Sequence, residues 1–115
     1  MTQTIYKICE RLAWEEAEQS GAFRGAGADL RDGFIHFSTA AQVRETAAKH
    51  FAGMADLTLI AVDADALDRA LKWETSRDGN LFPHLYGALP LTAVIWAKPL
   101  PMSANGRHVF PELMA

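Results

Sequence analysis

The hydrophobic pattern divides the chain into a few clear segments. TIYKIC, residues 4–9, sets aromatic and β-branched residues in near alternation, which predicts a first strand. RLAWEEAEQSG, residues 11–21, carries Leu12, Trp14 and Ala17 at helical spacing and ends on Gly21, a natural stop. From 21 to 33 come four glycines and two aspartates, which read as a loop. GFIHFS, 33–38, predicts a second strand, and Thr39 with Gln42 has the spacing of a capping box. Ala40, Val43, Ala47 and Phe51 then share one face of a helix that ends before Gly53. LTLIAVD, 57–63, is apolar enough for a central strand buried on both faces.

ADALDRAL, 64–71, reads as a short helix and LKWE, 71–74, as a short strand or extended piece. SRDGNLFPHLYG, 76–87, is rich in turn residues and reads as a second loop. AVIWAKPL, 93–100, is a last strand stopped by Pro99 and Pro101, and the tail from Met102 is expected to be loosely held, with a short strand at RHVF. The sum is about five to six strands and three short helices without regular alternation. That is an α+β class, a small mixed fold in one domain over 1–115, with its core at about 4–100 and a C-terminal tail at 101–115.

Composition adds exclusions. At 115 residues the chain supports one core and not two domains. Half the residues are hydrophobic and 22% are charged, which excludes a disordered chain. The net charge of -3 and the scattered Lys and Arg argue against DNA as a partner. No apolar run is long enough for a membrane span and no signal peptide is evident, so a cytoplasmic location is expected. Cys9 is the single cysteine and reads as a buried structural thiol.

Three places gather groups able to do chemistry. In the second strand Phe34, His36 and Ser38 fall on the face opposite Ile35 and Phe37, which makes His36 either a satisfied structural residue or a ligand contact. In WETSRDG, Glu74 can act as an acid or base and Arg77 can clamp a phosphate or carboxylate, or the two can simply pair on the surface. In FPHLYG, Pro83 and Gly87 fix the geometry around His84 and Tyr86, which are either a pair suited to a ring-bearing ligand or a hydrogen-bonded loop staple. The histidines lack metal-motif spacing, and no nucleophile elbow, dinucleotide fingerprint or phosphate-binding loop motif occurs.

Taken together, IYKI, DGFIHFST, QVRETAAKHF, WETSRDGNLFPHLYG and LPLTAV resemble a small bacterial family catalogued as a domain of unknown function (number 952), from about Ile5 to Leu100. The resemblance implies a fold similar to the ADP-ribosylation fold, in which NAD or an ADP-ribose intermediate binds in a cleft between two small, split sheets. In enzymes of that fold a strand histidine contacts the nicotinamide ribose, an aromatic ring stacks on the nicotinamide and an acidic residue assists transfer. The resemblance thus implies His36 as the strand histidine, Tyr86 as the stacking ring and Glu74 as the acid. Arg77 and His84 are phosphate contacts by their chemistry, and Ser38 is a further ligand contact. The expectation is a nucleotide-binding protein with NAD as candidate substrate and Glu74 and His36 as catalytic residues, with ADP-ribosyl or phosphotransfer activity. The rival is a non-enzymatic module binding a small ligand or a protein on the same scaffold. The chain is shorter than typical transferases of that fold, and its late acidic residue, Glu112, lies in the tail.

Overall fold

The computed structural model describes residues 3–115, the side chain of Arg77 lying outside that description. Strand β1 (Thr4–Glu10) runs into helix α1 (Arg11–Ser20), which Gly21 closes in the left-handed conformation expected of a terminal glycine. Strand β2 (Ala22–Phe23), helix α2 (Ala28–Asp32), strands β3 (Ile35–His36) and β4 (Ser38–Thr39) and helix α3 (Val43–His50) follow. Strand β5 (Leu57–Asp63), a 3-10 segment at Ala64–Ala70 and strand β6 (Leu71–Thr75) come next. Strands β7 (Leu81–Leu85), β8 (Leu89–Pro90) and β9 (Val94–Leu100) complete the strands among the described residues.

All pairing is antiparallel, in a four-stranded sheet β4-β1-β5-β9, a three-stranded sheet β3-β7-β6 and the short pair β2-β8. β1 and β5 lie in the middle of the largest sheet and are buried on both faces. Ile5 and Cys9 with Ile60 and Val62 pack against Trp14, Phe23, Ile35, Leu85 and Leu89. Tyr6 and Ile8 with Leu59 and Ala61 pack on the other side against Val43, Ala47 and Leu100. The apolar run predicted for a central strand has this cause: both of its faces meet a core.

The α+β class stands, with helical segments at the three places where helices are expected. Nine strands replace the expected five to six. Four differences account for the excess: β8, which pairs with β2, and the three that follow. The glycine-rich stretch 21–33 contains β2 and α2, because Gly25, Gly27 and Gly33 supply positive φ between short ordered pieces. The second loop contains β7, the middle strand of its sheet, despite Pro83. The expected single strand at 33–38 is two strands in two sheets.

The last two differences share a cause. Phe37 donates its backbone N–H to the carbonyl of Pro83 at 3.0 Å. In an antiparallel ladder the partner would return that bond through its own N–H, and proline has none. The ladder between β3 and β7 therefore gives out at Phe37. The chain crosses to the other sheet, where Ser38 and Thr39 pair with Tyr6 and Ile5.

Smaller corrections follow the same logic. Residues 64–70 form the expected short helix, built of 3-10 turns with a kink at Asp68 (φ 52°, ψ -134°). α3 begins at Val43, later than expected, although Gln42 does accept the Thr39 N–H at 3.0 Å, half of the predicted capping box. The C-terminal segment is not loose. The Tyr6 hydroxyl donates to the Met114 carbonyl and accepts from the Met114 N–H, both at 2.8 Å, while Phe110 and Leu113 pack on the second core. RHVF contributes one bridge, Met102 to His108, and no strand.

Candidate functional site

Strand register builds the site. In the three-stranded sheet Ile35 lies opposite Leu85, which lies opposite Leu71, and His36 lies opposite His84, which lies opposite Lys72. Residues directly opposed in antiparallel strands point to the same face. The row Ile35–Leu85–Leu71 is turned to the first core. The row His36–His84–Lys72 is therefore on the other face, together with Phe34, Glu74 and Tyr86, each two residues along its strand.

Phe34 sits at the centre of this face. Its ring stacks on His84 at 4.2 Å between centroids, and tilts against His36 at 4.6 Å and Tyr86 at 5.2 Å. The two imidazoles meet edge to face at 5.5 Å. Four rings thus form one contiguous surface. Tyr86 is exposed, Phe34 and His36 are half-buried and His84 is buried.

Each histidine is anchored through Nδ1 by a carboxylate. His84 Nδ1 lies 2.8 Å from Glu74 Oε1, and the Tyr86 hydroxyl donates to that same oxygen at 2.7 Å. The bond from Tyr86, and then that from His84, hold the Glu74 carboxyl below its ordinary range, while Glu74 pushes the Tyr86 phenol up.

The anchor on His36 is deeper. Its Nδ1 lies 2.7 Å from Asp29 Oδ1, and its backbone N–H donates to that oxygen at 3.0 Å. The other Asp29 oxygen accepts the Ala26 N–H at 3.1 Å, and Lys7 Nζ reaches Oδ1 at 2.9 Å and Oδ2 at 2.7 Å. Lys7 and Asp29 side chains are 7% and 2% exposed, so this is a buried ion pair whose oxygens are saturated with donors. Burial raises the Asp29 pKa, but the donations from His36 and Lys7 together outweigh it and bring it down to about 2. Burial also pulls the Lys7 ammonium down, against the carboxylate that pulls it up. Gly25 (φ 107°) permits the arrangement, since a β-carbon there would lie 2.9 Å from that of Asp29.

The outer nitrogen of His36 has a different partner. Nε2 lies 3.0 Å from Asp32 Oδ2, and the other oxygen of Asp32 accepts from Arg31 Nε at 3.0 Å. Asp32 is at the surface end of α2, with its side chain 32% exposed.

Four of the residues singled out from sequence, His36, Glu74, His84 and Tyr86, therefore share one face. Ser38 does not join them. It is buried on β4 in the other sheet, its hydroxyl bonded to that of Thr46 at 2.8 Å, because the change of sheet at Phe37 breaks the two-residue alternation that put it beside His36. Arg77 lies outside the described side chains. Lys7, Asp29, Asp32 and Lys72 were not anticipated. Lys7 had a visible signal, a charged residue inside an apolar strand, which demands a buried partner.

Cys9 is the buried thiol expected, and burial pushes its pKa up to about 11. Among the described residues no group of three or more His, Cys, Asp or Glu is placed to hold a metal, and no helix is long and apolar enough to cross a membrane. A cleft of about 400 Å³ lies elsewhere, lined by Asp65, Asp68, Arg69 and Trp73. Trp73 alternates away from Lys72 and Glu74 on β6, so this cleft is not on the histidine face.

The same scaffold is known from experiment in a relative. The crystal structure of protein CC0527 from Caulobacter crescentus superposes with a TM-score of 0.88 at 47% identity, covering 92% of this chain and 93% of that one. The solution NMR structure of CC0527 gives 0.81 at 48% identity, with 90% of each chain covered. No curated protein matches the chain. Residues 8–97, which hold both histidines and their carboxylate anchors, match the family described as protein of unknown function (DUF952), and the chain belongs to that family.

Proposed function

We propose that the histidine face binds a nucleotide of the NAD or ADP-ribose kind, with ADP-ribosyl or phosphoryl transfer as its chemistry. The observation that supports this reading is the convergence of His36, His84, Glu74 and Tyr86 around Phe34. An aromatic surface edged by carboxylates and imidazoles offers a ring-bearing ligand stacking area and its sugar hydroxyls directed hydrogen bonds. His36 would contact ribose hydroxyls, Tyr86 would stack, and His84 and Arg77 would meet phosphate. Glu74 would stabilise the positive charge of an oxocarbenium-like transition state. The parting of β3 and β4 into two sheets sets His36 at a split between sheets, in keeping with the ADP-ribosylation-like arrangement.

A second reading, a binding module without catalysis, draws support from Glu74 itself. One of its oxygens already receives both Tyr86 and His84, which draws negative charge away from any transition state. A titration and a turnover assay test these readings. NAD and ADP-ribose are added to the protein while the ring signals of His36 and His84 are followed by NMR. Shifts at both rings are expected, and their absence at millimolar ligand defeats the nucleotide reading. Release of nicotinamide from NAD, lost in Glu74→Gln, establishes the enzyme. Binding without release at any pH establishes the module.

A further inference from the structure

The two nitrogens of His36 are treated differently by the fold. Nδ1 is fixed from the interior by Asp29, which is held in turn by Lys7 and two backbone N–H groups. Breaking that contact would take a donor from a carboxylate that is 2% exposed. Nε2 faces outward and meets only a surface carboxylate, Asp32, whose other oxygen is held by the exposed Arg31. Carboxylates accept and do not donate, so both contacts are hydrogen bonds together when the ring carries a proton on each nitrogen. The outward atom is then an N–H donor whose present acceptor is an oxyanion belonging to the protein itself.

We infer that Asp32 occupies the place of an anionic oxygen of the ligand, a phosphate or a carboxylate, and that binding exchanges Asp32 for that oxygen on His36 Nε2. This deepens the reading of the histidine face as a ligand site and rests on it. Three features favour exchange. The Asp32 contact joins two side chains that are each about one-third exposed, so breaking it leaves no buried charge unpaired. Asp32, once displaced, keeps Arg31 as its partner. The imidazole does not move in the exchange, because Asp29 holds it, and a donor already in position loses little entropy on binding. Lys72, next to His84 in the same cross-strand row, adds positive charge on this face. Against these stand Glu74 and Asp32, the negative groups an incoming anion meets.

The inference makes a counter-intuitive forecast: removing a hydrogen-bonding residue from the site tightens binding. Inorganic pyrophosphate and ADP-ribose are titrated by calorimetry into the wild type, Asp32→Ala, Asp32→Asn and His36→Gln. Asp32→Ala is expected to bind both roughly two- to fivefold more tightly, the worth of one exposed ion pair. Asp32→Asn, which keeps an acceptor and loses the competing charge, is expected to fall between. His36→Gln is expected to lose most of the pyrophosphate affinity. Unchanged or weaker pyrophosphate binding in Asp32→Ala overturns the inference, even if ADP-ribose binds every variant and upholds the nucleotide reading. Pyrophosphate binding that tightens in Asp32→Ala, without any adenosine nucleotide binding, upholds the exchange and defeats the nucleotide reading. No binding of either probe to any variant overturns both.

Discussion

The buried Lys7–Asp29 pair allows a quantitative test, because the two partners are not equally dependent on each other. Asp29 is replaced by Asn, Lys7 by Met, and both together, each change close to isosteric. In Asp29→Asn the Lys7 ammonium, 7% exposed, loses the carboxylate it pairs with among the described residues. An uncompensated buried charge of this kind costs about 3–5 kcal/mol. In Lys7→Met the carboxylate keeps three donors, His36 Nδ1, the His36 N–H and the Ala26 N–H. Its loss is limited to roughly one charge-assisted hydrogen bond, about 1.5–3 kcal/mol. The double variant has no buried charge left, so it is expected to be more stable than Asp29→Asn alone, with a coupling energy of about 2 kcal/mol or more. A chain of 115 residues has of the order of 6–17 kcal/mol to lose, so all three variants should fold. Urea unfolding followed by tryptophan fluorescence gives the midpoints, read at constant m-value. If Lys7→Met proves as costly as Asp29→Asn, or the double variant is the least stable, the pair is not the buried, donor-saturated centre described above.

Other expectations are narrower. The Asp29 pKa lies below its ordinary 3.8, so the carboxylate contributes stability above about pH 4 that is lost as the pH falls toward 2. That contribution is about 2 kcal/mol, and the slope of stability against pH between 4 and 2 should flatten in Asp29→Asn. Asp68 holds a backbone conformation that favours glycine (φ 52°, ψ -134°), so Asp68→Gly is expected to raise stability by about 1 kcal/mol, seen as a higher Tm; a lower Tm would show that its side chain outweighs the strain. Tyr6→Phe removes two bonds to Met114 and should cost about 1–2 kcal/mol while making the last residues more susceptible to carboxypeptidase, against an unchanged digestion rate if the hydroxyl is idle. Cys9, buried and with its pKa up at about 11, should resist iodoacetamide in the native state at pH 8 and react only on unfolding.

What was legible in the sequence divides by the range of the interaction. β1, α1, β5 and β9 are specified by their own apolar patterns and punctuated by Gly21 and the late prolines, so local reading recovers them. β7 was hidden because Pro83 reads as a strand breaker, and only the partner strand decides that its nitrogen falls where the ladder ends. The same long-range fact hid the parting of β3 from β4 and wrongly gave Ser38 to the site. His36 and His84 were visible as polar residues among apolar neighbours, yet their contact spans 48 positions and follows from strand register alone. Asp29 was the least legible of all. In sequence it is one of two aspartates in a glycine-rich stretch, and its burial depends on a lysine 22 residues earlier.

The crossing at Phe37 has a consequence for how this chain can change length over time. Ile35 and His36 are locked in register with Leu85 and His84, and one residue after Phe37, Ser38 and Thr39 are locked with Tyr6 and Ile5. One residue inserted or deleted between them would reverse the facing of one strand or the other. It would either turn His36 into the core or bring a buried position of β4 out of it. Five consecutive positions, 35–39, thus form an interval of fixed length. The turn at 103–106 lies outside the named strands and helices and has room to lengthen. Natural and engineered variants should collect their insertions there and leave the interval of five intact.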